Sequence, residues 1–390
     1  MSTELQHGVR QTFDKSGWTQ LPKVGTAVIG MVVTANDADE EMFPLDQCVL
    51  VTDFDVAIAK AGSTGTLGQA LRNIKKEAVT PTVVVRVDEA ESFDATIPNI
   101  MGKINPNGSR TGHEALELAR TQTGVQPKIW ICPKYDTEEV VRLRLVALAD
   151  KFLGFVYASI ETSYTVQKAL KLADKVSSDN LMLIYNNAIA YDQDLEVEAE
   201  QYVVAQIAGL RARIDYEKGW HHSISNHVLS QVTGTTKEVT FAPINPAGTE
   251  ANELNKKNIS VLIRDDGGIK VWGNRTCAPI DSSHIFEVYT RTMNFLGEEA
   301  AIMLKSITQD KPMTRVLLEE FSMRYNNRLD EHKRAGRIIG GYVDLHPGKN
   351  GTNDLMEGRP DWLLKVTPVP PAESPGIELV LTDEFITNLV

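Results

Sequence analysis

The chain has 390 residues, 42% hydrophobic and 24% charged, which is the composition of a globular protein long enough for two domains. Its formal charge of −12 argues against a general nucleic-acid binder, because neutralising phosphates needs a basic surface. No run of eighteen apolar residues is present to span a membrane, and MSTELQHGVR carries no apolar signal core, so a protein made and kept in a cytoplasm is expected.

In chain order, the first twenty-five residues are polar, with scattered Val9, Phe13 and Trp18, and read as an extended arm. TAVIGMVVT (26–34) and CVLVT (48–52) read as strands, followed by a helical stretch DFDVAIAKA (53–61). PTVVVRV (81–87) and PKIWIC (127–132) are apolar runs of the buried kind, and a helix is expected over 137–152, capped by Asp136 or Thr137. GFVYASI (154–160) predicts a strand, 163–176 a helix, LMLIYN (181–186) a strand, 195–214 a long helix, and ISVLIR (259–264) a further strand. This alternation predicts an α/β fold, a mainly parallel sheet with helices on both faces, over residues 26–279. The pattern then changes to two helices, over 284–306 and 313–334, and to strand-like GRIIGGYVDL and DWLLKVTPV. These predict a smaller α+β C-terminal domain over 280–375. After a proline-rich break, IELVLT (377–382) reads as a last strand within a C-terminal arm over 376–390.

Three motifs invite chemistry. GSTGTLGQA (62–70) has glycines spaced G-x-x-G-x-x-G, but a dinucleotide loop is G-x-G-x-x-G set directly between a strand and a helix. Here a helical stretch intervenes, so the segment is read as a helix–turn–helix joint, with Gly62 ending one helix and Thr64 or Thr66 capping the next. A nucleotide-binding enzyme using the Gly62–Gly68 turn, with Asp88 as a ribose-binding acid, is the alternative. HHSISNH (221–227) offers three imidazoles, yet His221 and His222 are adjacent and no cysteine partners them, so a polar loop is preferred to a metal site. Cys48, Cys132 and Cys277 form no C-x-x-C pair and are expected as buried free thiols. No G-x-S-x-G or H-E-x-x-H occurs, and no cofactor or catalytic residue is assigned. Arg315, Arg324, Arg328, Lys333, Arg334 and Arg337 cluster on or beside one helix, as a solvated face or a docking face for an acidic partner.

ANELNKKNISVLIRDDGGIKVWGNRT (251–276) closely resembles the signature of contractile-phage tail sheath proteins. HGV (7–9), FPL (43–45), NGSRTG (107–112), GWHHSISN (219–226), VTGT (232–235), YTRTM (289–293) and TPVPPAE (367–373) match in the expected order along almost the whole chain. The likeness is greatest to the short sheaths of temperate myophages and R-type tailocins. By itself, the 259–274 stretch is a hairpin turning at Asp266-Gly267-Gly268, and Trp272, Gly273, Asn274, Arg275 and Thr276 read as scaffolding where the chain leaves the sheet.

The resemblance implies a structural protein of the virion tail, not an enzyme. It implies a homo-oligomer of stacked six-membered rings around a tail tube protein, with baseplate and tail terminator proteins as further partners. Arms exchanged between copies would extend the inner sheet, giving Val9, Phe13, Trp18, Ile377, Leu379, Leu381 and Phe385 as expected inter-subunit strand residues. The six basic residues are expected to face the tube.

Overall fold

A computed structural model describes residues 25–384. The N-terminal arm residues Val9, Phe13 and Trp18, and Phe385 near the other end, lie outside the described residues. The strands are β1 (Ile29–Thr34), β2 (Cys48–Val51), β3 (Thr82–Val87), β4 (Ile129–Ile131), β5 (Phe155–Ser159), β6 (Leu181–Ile184), β7 (Ala188–Asp192), β8 (Val197–Gln201), β9 (Gly234–Thr235), β10 (Ile259–Asp265), β11 (Gly268–Trp272), β12 (Ile338–Leu345) and β13 (Trp362–Pro368). The helices are α1 (Phe54–Lys60), α2 (Leu67–Glu77), α3 (Phe93–Met101), α4 (Gly112–Leu116), α5 (Ala119–Thr123), α6 (Glu139–Phe152), α7 (Val166–Ala173), α8 (Val203–Glu217), α9 (Glu250–Lys256), α10 (Glu287–Thr308), α11 (Arg315–Arg334) and α12 (Thr352–Met356).

Eight strands form one sheet in the order β11-β10-β6-β5-β4-β1-β3-β2. The interior pairs are parallel, and only the outermost, β2 with β3 and β10 with β11, are antiparallel. β1, β3, β4, β5 and β6 are buried along their whole lengths, because helices cover both faces and no side of these apolar strands meets water. Alternate residues feed two cores. Ile29, Met31 and Val33 pack with α1, α2 and α8, while Val32, Val83 and Trp130 pack with α4, α6, α7 and α9.

A third core joins Leu296, Met303 and Ile307 of α10 to Phe321, Tyr325 and Leu329 of α11 and to Ile338 and Val343 of β12. β12 and β13 pair with each other alone as a two-stranded antiparallel sheet. Thr314 caps α11 by accepting the Leu317 N–H at 3.2 Å, and Gly336, at φ +70°, follows its end.

Three local expectations need correction. Residues 195–214 are not one helix: β8 first pairs antiparallel with β7, after a turn in which Asp192 Oδ1 accepts the N–H groups of Asp194 and Leu195. The glutamates of VEAEQ favour helix locally, but the ladder to β7 overrides that preference. α6 opens from Glu138 after a 3₁₀ turn, so neither Asp136 nor Thr137 is its cap; Asp136 is fully buried and accepts the Ser159 N–H at 3.0 Å. Residues 377–382 form no strand among the described residues.

The cysteines are free thiols, with Cys132 and Cys277 buried and Cys48 half-buried. Burial drives all three thiols up in pKa, Cys48 and Cys277 to about 12, which disfavours the thiolate form that a nucleophile needs.

Two measurements test this packing. α8 crosses α2 so closely at Gly209 that an added Cβ would lie 2.7 Å from the Ile74 carbonyl oxygen. Gly209→Ala, which in an open helix stabilises, should here lower stability by about 1–3 kcal/mol, read as a reduced urea midpoint with unchanged slope. His113 on α4 is fully buried with neither ring nitrogen hydrogen-bonded, and burial, then the charge of Arg144, pushes its pKa down to about 3. A depressed base leaves the unfolded chain binding more protons, so stability should fall as pH drops from about 6.5 towards 3. His113→Leu should flatten the stability–pH curve in that window.

Candidate functional site: a charged joint and an open sheet edge

Four of the segments that carry the family resemblance, GWHHSISN, WGNRT, YTRTM and TPVPPAE, meet where the large sheet adjoins the C-terminal helices. α8 is buried nearly all round, yet it carries Arg211 and Asp215 four residues apart, both without exposed side-chain surface beyond 1%. α10 answers with Glu287 and Arg291 at the same spacing. Arg211 pairs with Asp215 at 2.8 Å and with Glu287 at 3.3 Å, and Arg291 pairs with the other oxygen of Asp215. Tyr157 of β5 donates its hydroxyl to Glu287, and Arg211 donates to the His222 carbonyl at 2.6 Å. Arg291 also reaches the Thr26 carbonyl, at 3.4 Å, where the chain enters β1.

Four buried charges thus tie α8, α10, β5 and the start of the sheet into one network. Burial alone would depress the Arg211 pKa, but Asp215 and Glu287 more than offset it and hold the guanidinium charged. Burial, then the negative charge of Glu287, holds the Tyr157 phenol well above its ordinary pKa. Sequence reasoning missed this network. The signal was available: two opposite-charge pairs at i,i+4 spacing inside helices otherwise apolar on the facing side.

Around this network the signature residues do structural tasks. Trp220 of GWHHSISN inserts into the third core, stacked on Phe295 with ring centres 4.5 Å apart. Ser225 accepts the Gly273 N–H at 3.1 Å. Trp272 stands edge-on to Phe241, and Gly273 adopts φ +139° against Ser260, where a Cβ would fall 2.5 Å from the serine oxygen. Asn274 receives the Glu287 N–H on its carbonyl at 3.0 Å, and Thr276 donates its hydroxyl to His284 O at 2.8 Å. Arg275 does not bond backbone groups through its side chain. Instead it grips Glu373 of TPVPPAE through two bonds of 2.7 Å.

From residue 374 to 384 the chain is exposed. Ile377, Leu379, Val380 and Leu381 show 87%, 88%, 74% and 102% of their surface. Ile339 and Tyr342 on β12 are also exposed, and each strand of the β12–β13 pair keeps one edge outside any ladder among the described residues. Such edges are templates for another strand.

The basic residues sit on or just after α11, but their field is smaller than the sequence suggests. Arg315 pairs with Glu319, Arg324 with Glu320, and Arg328 with Glu299 and Glu331, while Arg337 lies 3.4 Å from His332 Nδ1. Lys333 and Arg334 are exposed at the helix end.

The early glycine turn is already filled. Asp37 accepts the N–H groups of Ser63 at 2.8 Å and Thr64 at 3.1 Å, the donors that an incoming phosphate would use. The Thr64 hydroxyl, then the Ser63 N–H, hold this carboxyl well below the usual range. A Cβ on Gly65 would lie 2.2 Å from Thr34 O, so the turn is pressed against the end of β1. Thr66 occupies the cap position of α2, but its hydroxyl accepts the Thr34 N–H instead of capping. Asp88 is exposed and its carbonyl receives the Asn99 amide. The nucleotide-enzyme alternative therefore loses support: the turn is a helix–turn–helix joint with its own anion. The His221 and His222 rings lie with centres 4.4 Å apart, tilted 56° to each other, and burial, then the neighbouring His222, push the His221 pKa down to about 4. Among the described residues no group of three or more metal-binding side chains gathers.

Residues 108–277 match the family model of the phage tail sheath protein central domain. The chain is similar to the tail sheath protein of Escherichia phage P2, 35% identical over all of this chain and 98% of that one. It is 34% identical to the major tail sheath protein of Serratia phage KSP20, over 99% of this chain and 97% of the other. Its fold resembles a subunit of the contracted helical sheath of the anti-feeding prophage, with a TM-score of 0.71, 19% identity, and coverage of 97% and 99% of the two chains.

The charged network yields a test. Arg211→Met leaves Glu287 and Asp215 short of a buried partner and should cost about 3–5 kcal/mol in urea denaturation. Arg211→Met combined with Glu287→Gln should recover part of that loss, because one uncompensated charge leaves with the other. Glu287 Oε2 already lacks a hydrogen-bond partner.

Proposed function

We propose that this chain, which belongs to the phage tail sheath protein family, works by lending edge segments to its own copies. It is a structural subunit of a contractile tail sheath and so a component of the virion tail. The finer reading is that copies stack as hexameric rings around a tail tube protein, between baseplate and tail terminator proteins, and shorten to drive the tube through the host envelope for genome ejection. Assembly would take place in the host cytoplasm. Residues 26–279 form the outer α/β domain and 280–375 the inner α+β domain, flanked by arms over 1–25 and 376–390.

One observation carries this reading: four apolar side chains at 377–381 are largely exposed, in a chain whose two-stranded sheet keeps both outer edges unpaired among the described residues. In water, neither is satisfied alone. A donated strand of about six residues spans ~20 Å. It adds about five backbone hydrogen bonds of ~1 kcal/mol each, with alternate apolar side chains entering the neighbour. Against the entropy of association one such link is weak, but repeated links around and along a tail act together. Ile377, Leu379 and Leu381, with Phe385 and the N-terminal Val9, Phe13 and Trp18, are the residues assigned to these strands.

Contraction needs no nucleotide in this scheme. The extended sheath is held by limited polar contacts to the tube, to which Lys333, Arg334 and Arg337 contribute alongside Arg315, Arg324 and Arg328. Release lets outer domains slide into larger mutual burial while the arms keep copies connected. The Trp272–Thr276 segment keeps the two domains in register during that motion.

Removing residues 376–390 should abolish polymerisation into ribbed hollow cylinders, judged by electron microscopy, while the circular dichroism of the subunit stays that of the intact chain. Normal cylinders from the truncated chain would overturn arm exchange.

A further inference from the structure

We infer that the cleft at the carboxyl ends of β4, β5 and β6 is a binding site for a primary ammonium group. Open parallel sheets take ligands at this end of their strands. The cleft encloses about 390 Å³, within the span of about 300–1,000 Å³ usual for small-molecule sites.

Asp136 lines it, without exposed surface. One carboxylate oxygen accepts the Ser159 N–H at 3.0 Å, and the other, Oδ1, has no hydrogen-bond partner. The buried Arg142 does not supply one, since its Nη1 donates to the carbonyls of Asp136, at 3.2 Å, and Thr137. Burial raises the Asp136 pKa to about 7, which marks a carboxylate lacking sufficient positive compensation.

The rest of the lining points to the same ligand charge. Glu200 is positioned by Asn187 at 2.7 Å and Thr162 at 2.9 Å, both donating to Oε1. Glu161 adds a third carboxylate. The lysine of the lining, Lys134, is drawn aside by Glu89. Lys237, which donates to the Glu161 and Tyr164 carbonyls, offsets part of the charge of Glu161 and Glu200. The unanswered group is the Asp136 oxygen, and it calls for a ligand with a positive charge and several N–H donors, which an ammonium has and a hydroxyl compound lacks. The Phe93 ring in the same lining offers apolar surface for the attached methylenes. None of these residues belongs to the exposed C-terminal segment, so the site stands apart from arm exchange.

Ammonium chemistry has two sources: a soluble diamine, or a lysine side chain of another copy. Titration calorimetry on the full chain at pH 8 separates them, with putrescine for the first and Nα-acetyl-lysine methylamide for the second. Saturable binding of either, with no heat from 1,4-butanediol, is expected. The tighter of the two identifies the source. Asp136→Asn should weaken binding roughly tenfold or more, the loss of one charged hydrogen bond. Glu161→Gln, at a half-exposed carboxylate, should weaken it by a smaller factor and decides the matter where Asp136→Asn does not fold. No saturable heat from either amine, or unchanged affinity in the folded variants, overturns the site.

Discussion

Four buried charges at the meeting of α8 and α10 constrain everything downstream of the large sheet. Arg211, Asp215, Glu287 and Arg291 have little water to solvate them, so each must stay near its partners or be exposed at high cost. Apolar contact tolerates sliding; this network tolerates little. Through Glu287 it also reaches Tyr157 in the middle of the sheet, and through Arg291 the carbonyl of Thr26. The orientation of α10, and with it the third core and the β12–β13 pair, follows from where these groups can be satisfied.

The two ends of the molecule solve the problem of sheet edges differently. In the large sheet, antiparallel β2 and β11 close the flanks, and β11 is short and carries Lys270 and Trp272 along it. Among the described residues the C-terminal pair has no such flanking strand. Its two strands pack on α11 across one face, through Ile338 and Val343, while Ile339 and Tyr342 look outward. A sheet of two strands is marginal by itself. Its stability as a single chain rests on the helices behind it.

Much of the large sheet was legible because its signal is local. Continuous apolar runs such as VVVRV and LMLI can be satisfied only by burial on both sides, and the helices between them announce parallel connections. Residues 195–214 were misread because VEAEQ suits a helix residue by residue, and only the partner strand at Ala188–Asp192 decides otherwise. α3 and α9 were overlooked since their faces mix polar and apolar residues within nine residues or fewer. The family signature marked the right segments without saying why they matter. Trp220, Arg275 and Arg291 are each unremarkable locally, and their meaning lies in partners 76 to 112 positions away: His332, Glu373 and Asp215 respectively. The filled glycine turn shows the converse, since Asp37 lies 26 residues before Ser63 and nothing in the G-x-x-G spacing reveals it.

The two-pronged salt bridge from Arg275 to Glu373 has a mechanical meaning. Tension applied to the chain beyond residue 373 is caught by a guanidinium that leads straight back into β11, before any of it peels β13 from β12. A pull on that segment would therefore reach the larger, better-anchored sheet before it could unzip the small one.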